Sequence, residues 1–181
     1  HKSFRKVLFM KNQPSVSPRK ALENRYNSVR YDILLIFIFT VINILLPLLT
    51  DSNTFFLFSA EVPYYIFAIG WAMVEGEMLS SIVYPLVLAL LITVPYLLFW
   101  IFSKKRYGWM IAALVYFSID CLFLGAMSLS LEYLAEIIFH LVALGLLIYG
   151  VVLGAKLKKM PEDEPPAEAL ATEEIPSEEE Q

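Results

Sequence analysis

The chain has 181 residues, 58% of them hydrophobic and only 18% charged, with a mean hydropathy of +0.62. A soluble domain is about 45–50% apolar and about 25% charged, so this balance excludes a soluble globular enzyme, a nucleic-acid binder with a basic face, and a disordered chain. The formal net charge of −4 hides a segregation. Of the 14 Lys and Arg residues, eight lie in 1–30, three at 104–106 and three at 156–159, and none lies in 31–103 or 107–155. The last 20 residues carry nine acids and no base. Cys121 is the single cysteine. It can form no internal disulfide, and it reads as a small buried hydrophobe.

Residues 1–32 form a basic arm and an amphipathic helix. Ser17-Pro18 is a helix start, with Ser at the N-cap and Pro at the first helical position. Leu22, Tyr26 and Val29 follow at spacings of four and three on one face, and Arg19, Arg25 and Arg30 lie mostly off it. This predicts a basic helix lying on the membrane surface before the first span. The first long apolar run begins only at Ile33 and is too long for the apolar region of a secretory signal.

Four apolar runs predict four spans, at about 33–50, 79–102, 109–131 and 134–155. The first, about 18 residues, is roughly 27 Å long as a helix, just enough to cross. Pro85 and Pro95 are expected to kink the second. Residues 54–74 are apolar too, but Glu61 and Pro63 divide them into two pieces too short to cross alone. A fifth span there would put both 104–106 and 156–159 outside. With four, every base is cytoplasmic, as the positive-inside rule requires. The segment 54–74 is then an outer interfacial or re-entrant element. The expected fold is an all-α membrane protein: an up-down four-transmembrane-helix bundle with an N-terminal amphipathic helix and that outer segment. Residues 156–181 read as a basic stop followed by a disordered acidic tail. The expected location is the plasma membrane, multi-pass, with both termini cytoplasmic.

The strings ALENRYNSVRYDILLIFIFTVINILL (21–46), TFFLFSAEVPYYI (54–66), IFSKKRYGWMIAALVYFSIDCLF (101–123) and the run from Glu136 to Lys159 resemble a group of small, uncharacterised four-span membrane proteins of Gram-positive bacteria. The likeness covers roughly residues 20–160. It implies a bacterial plasma-membrane setting and no particular activity.

Ionisable side chains inside spans are costly and are functional candidates by default. Glu132, Glu136 and His140 are spaced by four, on one helical stripe. Glu and His at that spacing can share one metal ion, so Glu136 and His140 are the candidate ligands for a divalent cation; no other cofactor is expected. Counted at about 1.5 Å per residue, Glu136 is within a turn of the outer surface, where it would snorkel to water. On the same count His140 is about 9 Å deep, Asn43 about 10 Å and Asp120 about 16 Å, near the midplane. Asn43, Asp120, Glu136 and His140 thus make an intramembrane polar cluster, read first as an interhelical hydrogen-bond network that specifies packing. Asp51, Glu61, Glu75, Glu77 and Glu132 are expected to face outward. Gly150 and Gly154 form a small-xxx-small pattern for close helix approach within or between chains. Arg19, Lys20, Arg25, Arg30, Lys104, Lys105 and Arg106 are candidate contacts for anionic lipid headgroups, at about 1 kcal/mol each.

Walker A, Gly-rich dinucleotide, His-Glu-x-x-His and Cys-x-x-Cys motifs do not occur. The best reading is a non-enzymatic membrane scaffold or accessory subunit. The bilayer is its first partner, and a second copy or another membrane protein is the next. The alternative is a small cation- or proton-conducting oligomer using Asp120, Glu136 and His140. A membrane-embedded metal-dependent hydrolase is weaker, because neither a nucleophile elbow nor a second membrane histidine accompanies His140.

Overall fold

The computed structural model describes residues 17–50, 56, 58–73, 79–127 and 133–161, with backbone only for 79–81. The arm 1–16, the acidic tail, and Asp51, Glu75, Glu77 and Glu132 lie outside the described residues. Among the described residues are five helices and no strand: α1 Pro18–Leu49, α2 Glu61–Met73, α3 Leu79–Ser103, α4 Gly108–Met127 and α5 Leu134–Lys159. Four of them, α1, α3 from Ile82, α4 and α5, are long and apolar enough to cross a bilayer.

α1 starts as its sequence predicts: Ser17 Oγ accepts the Lys20 N–H at 3.2 Å and Pro18 opens the first turn. It then differs from the expected surface helix. The basic stretch and the first span are one continuous helix of 32 residues, about 48 Å long against a hydrocarbon core of about 30 Å. No Gly or Pro stands between Arg19 and Leu46 to interrupt it. Its apolar face is covered by protein rather than by headgroups: Tyr26 and Val29 are buried, with Leu22 packed beside them.

The main packing runs α1–α3–α4–α5 and back to α1, a closed ring of sequence neighbours, as an up-down bundle requires. Ile33, Ile36, Tyr96, Met110, Phe117 and Leu147 fill its centre. Gly150 and Gly154 act inside this ring. A Cβ on Gly150 would stand 2.8 Å from Val29 Cγ1, and one on Gly154 would stand 2.8 Å from Tyr107 Cβ, so only glycine lets α5 approach α1 and the start of α4 this closely. The outward faces stay apolar at helical spacing: Val83, Val87, Leu91, Val94 and Leu98 on α3, and Ile111, Val115, Ile119 and Leu122 on α4. A helix apolar on both its inner and outer sides suits lipid surroundings.

α2 packs on α1, α3 and α4. Phe67 anchors it, fully buried with Ile44 and Ala89. Gly70 lies against Pro85, so close that a Cβ there would come within 2.4 Å of the proline ring. The break that Glu61 and Pro63 introduce into the 54–74 segment is the start of this helix. Pro63 stands at its third position, where the absent N–H would have had no intrahelical partner.

Candidate functional site

Six of the buried polar side chains, Thr40, Asn43, Ser59, Glu61, Asp120 and His140, gather around the chain that enters α2. Asn43 is six residues from the end of α1, Asp120 seven from the end of α4 and His140 six from the start of α5, so all three lie roughly 9–11 Å inside the same end. The chain leaves α1 at Leu49, reaches this depth again by Phe56–Ala60, and α2 carries it back outward. The geometry is re-entrant.

Irregular backbone at such depth is tolerated only where protein satisfies its polar groups. Each contact here does so. The Asn43 amide exchanges two bonds with Phe56: Phe56 N–H donates to Oδ1 at 2.9 Å and Nδ2 donates to the Phe56 carbonyl at 2.9 Å. Asn43 Nδ2 also donates to Ser59 Oγ at 2.8 Å, and Ser59 Oγ donates to the Phe56 carbonyl at 2.9 Å. Thr40 Oγ1 accepts the Ala60 N–H at 2.8 Å while donating to the Ile36 carbonyl at 2.7 Å. Asp120 then takes the first two amides of α2, Glu61 N–H on Oδ2 at 2.9 Å and Val62 N–H on Oδ1 at 2.8 Å. It is an N-cap supplied by another helix, and its charge sits at the positive end of the α2 dipole.

His140 completes the cradle. Nε2 lies 3.1 Å from Asp120 Oδ2 and Nδ1 lies 2.9 Å from the Glu136 carbonyl. A carbonyl only accepts, and a carboxylate only accepts. Nδ1 therefore carries hydrogen toward the Glu136 carbonyl, and one proton lies between Nε2 and Asp120 Oδ2, which makes His140 and Asp120 a buried, hydrogen-bonded pair. The ring stacks on Phe117 at 5.3 Å and 9°. The expected His–Asp contact between helices is present, but Asp120 is level with His140 instead of deeper, near the midplane. Asn43 joins the cluster through the re-entrant backbone and not through the His–Asp pair.

Two acids depart from their expected surroundings. Glu61 is not on an outer face; it is 3% exposed and turned into the cluster, within electrostatic range of His140, Asp120 and Glu136. Glu136 is half-buried, with its Oε2 covered by protein. Neither Glu61 Oε1 nor Glu136 Oε2 has a hydrogen-bond partner among the described residues. For the Glu136–His140 metal reading, both His140 nitrogens already face oxygens, and Glu136 meets the ring through its backbone. Among the described residues no group of three His, Cys, Asp or Glu side chains is arranged to hold a metal ion.

At the opposite, basic end the seven headgroup candidates divide. Arg30 is buried, and its guanidinium is spent on protein: Nε donates to Ser103 Oγ at 2.9 Å, Nη1 to Asn27 Oδ1 at 2.9 Å and Nη2 to the Trp100 carbonyl at 2.6 Å. Together with Tyr26, whose hydroxyl donates to the Ser103 carbonyl at 2.8 Å, it satisfies the last turn of α3. Arg19 pairs with Glu23 and donates to the Met160 and Pro161 carbonyls beyond α5. Lys20, Arg25, Lys104, Lys105 and Arg106 are exposed.

Thr40, Ser59 and Glu61 are the cluster members that sequence reasoning missed. Thr40 and Asn43 share a face of α1 at i and i+3, which was the available signal. No family model matches the chain, and no curated protein or solved structure matches it. Fold and site therefore define the class by themselves: an integral, multi-pass helical membrane protein with a polar cradle around a re-entrant helix.

Proposed function

We propose that this protein is a non-enzymatic membrane scaffold or accessory subunit whose fixed re-entrant element engages a membrane-protein partner or a second copy. The observation that supports this is how the bundle spends its polar groups. Thr40, Asn43 and Asp120 bind the backbone of residues 56–62, and His140 binds Asp120. Side chains committed to holding backbone are not free to turn over a substrate. The setting is a bacterial plasma membrane, in line with the resemblance. The clustering of the described Lys and Arg residues at one end supports cytoplasmic termini through the positive-inside rule.

The test is a photo-crosslinking residue at Ile69, which is half-exposed on α2, activated in native membranes. The reading expects one discrete protein adduct. Lipid adducts alone would overturn it.

A second reading, a proton- or cation-conducting oligomer, draws on the unpartnered, buried oxygens of Glu61 and Glu136 beside the His140–Asp120 pair. Vesicles holding a pH-sensitive dye separate the two. Flux above protein-free vesicles that Glu61→Gln abolishes would replace the scaffold with the conductor. Flux equal to the protein-free background leaves the scaffold standing.

A further inference from the structure

The basic end holds a cavity of about 750 Å³ between the start of α1, the α3–α4 turn and the end of α5. Its size is within the range of small-ligand sites, about 300–1,000 Å³. Lys104, Lys105, Arg106 and Lys158 line it together with Arg19, and Glu23 is the one acid among them. Glu23 is already neutralised by Arg19, whose Nε stands 3.1 Å from it. Among the described residues no carboxylate pairs with Lys104, Lys105, Arg106 or Lys158. Four positive charges therefore converge on one cavity with no ion-pair partner among the described residues.

The backbone adds to them. α4 begins at this cavity with Gly108. The turn bonds the amides of Lys105, Arg106, Trp109 and Met110 to backbone carbonyls, whereas the amides of Tyr107 and Gly108 take no backbone acceptor among the described residues. They stand at the positive end of a 20-residue helix, the arrangement that suits an oxyanion. Nothing lies within 4 Å of where a Gly108 Cβ would be, so the approach is open.

We propose that this cavity binds a phosphate-bearing ligand, with the anion held by Lys104, Lys105, Arg106, Lys158 and the start of α4. The level of the site favours an anionic phospholipid headgroup over a soluble phosphate compound. Phe102 and Trp109 pack at a tilt close by in the chain, with ring centroids 5.0 Å apart, on exposed apolar surface. Aromatic side chains of that kind mark the bilayer boundary, where headgroups lie. The inference concerns the end of the molecule away from the re-entrant helix and stands or falls independently of how that helix is used.

The experiment titrates the purified full chain in detergent with short-chain phosphatidic acid, short-chain phosphatidylcholine and inorganic phosphate. Binding is read by native mass spectrometry and by quenching of tryptophan fluorescence. The expected result is one saturable phosphatidic acid per chain, with phosphatidylcholine bound far more weakly. Lys104→Gln with Arg106→Gln should weaken it by about tenfold or more. Lys20→Gln with Arg25→Gln removes the same charge from the same end but outside the cavity and should change it little. All four positions are exposed, so the variants should keep the elution volume and thermal midpoint of the parent. Inorganic phosphate binding as tightly as the lipid, with the same dependence on Lys104 and Arg106, would support the site and assign it to a soluble phosphate. Equal loss in both double variants would mean a diffuse basic surface and would overturn the proposal, as would no saturable binding of either probe.

Discussion

Asp120 accepts two hydrogen bonds from the first amides of α2 and shares a third with His140. Asparagine offers one carbonyl oxygen in its place and brings an NH2 group toward amides that need acceptors. Asp120→Asn also leaves a buried imidazole without its acid partner. Each buried group left unsatisfied costs about 1–3 kcal/mol, so the unfolding midpoint in detergent should drop sharply; an unchanged midpoint would contradict the assigned contacts. Asn43→Leu keeps approximate volume and removes three bonds to residues 56 and 59. A loss of about 2 kcal/mol is expected from the same assay. Arg30→Lys keeps the charge but loses the planar fork that reaches three partners at once. It should cost about 1–3 kcal/mol, mostly as unsatisfied groups at the end of α3.

At the scale of elements, α2 is held by its polar N-terminus and by the close crossing of Gly70 on Pro85. Gly70→Val places branched carbons where the proline ring already stands. Overpacking of this kind costs about 1–3 kcal/mol, and α2 is the element free to move outward. With Cys121 replaced by Ala, a cysteine at the buried Ser59 should be protected from a small thiol reagent in the parent and modified faster once Gly70→Val is added. Equal rates would show that the crossing does not seat α2. Much of this element was legible beforehand. The acid and proline at 61 and 63 predict the break, and the sequence marks His140 and Asp120 as polar partners, although helix counting put Asp120 deeper than His140. What was not legible is that the partners of Asp120 are backbone amides. Amides are present at every position, so their need for an acceptor becomes visible only when the fold puts irregular backbone inside an apolar bundle. Arg30 escaped for a related reason: its partners, Ser103 and the Trp100 carbonyl, are some 70 residues away, and spacing within α1 places the arginine off the apolar face. The uninterrupted α1, by contrast, carried its signal openly in the lack of Gly and Pro.

The whole molecule is a ring of four long helices, with the described Lys and Arg residues at one end and a re-entrant helix opening from the other. Orientation follows from that polarity. Single cysteines at Met127 and Lys105, both exposed and at opposite ends, give it a direct test: an impermeant maleimide applied to intact cells should label Met127→Cys and leave Lys105→Cys unmodified, and the reverse pattern would invert the assigned topology. Ser103 is unsuited to that experiment because it is buried against Arg30. The claim on which the rest depends is that Ser59, Ala60 and Glu61 lie inside the bundle, with the start of α2 capped by Asp120. Hydrogen exchange on the purified protein, resolved at the peptides covering 56–62, tests it most directly. Slow exchange is predicted for the parent, with protection of these amides lost in Asp120→Asn while the amides of α4 itself stay protected. Exchange in the parent as fast as that of an exposed loop would contradict the account.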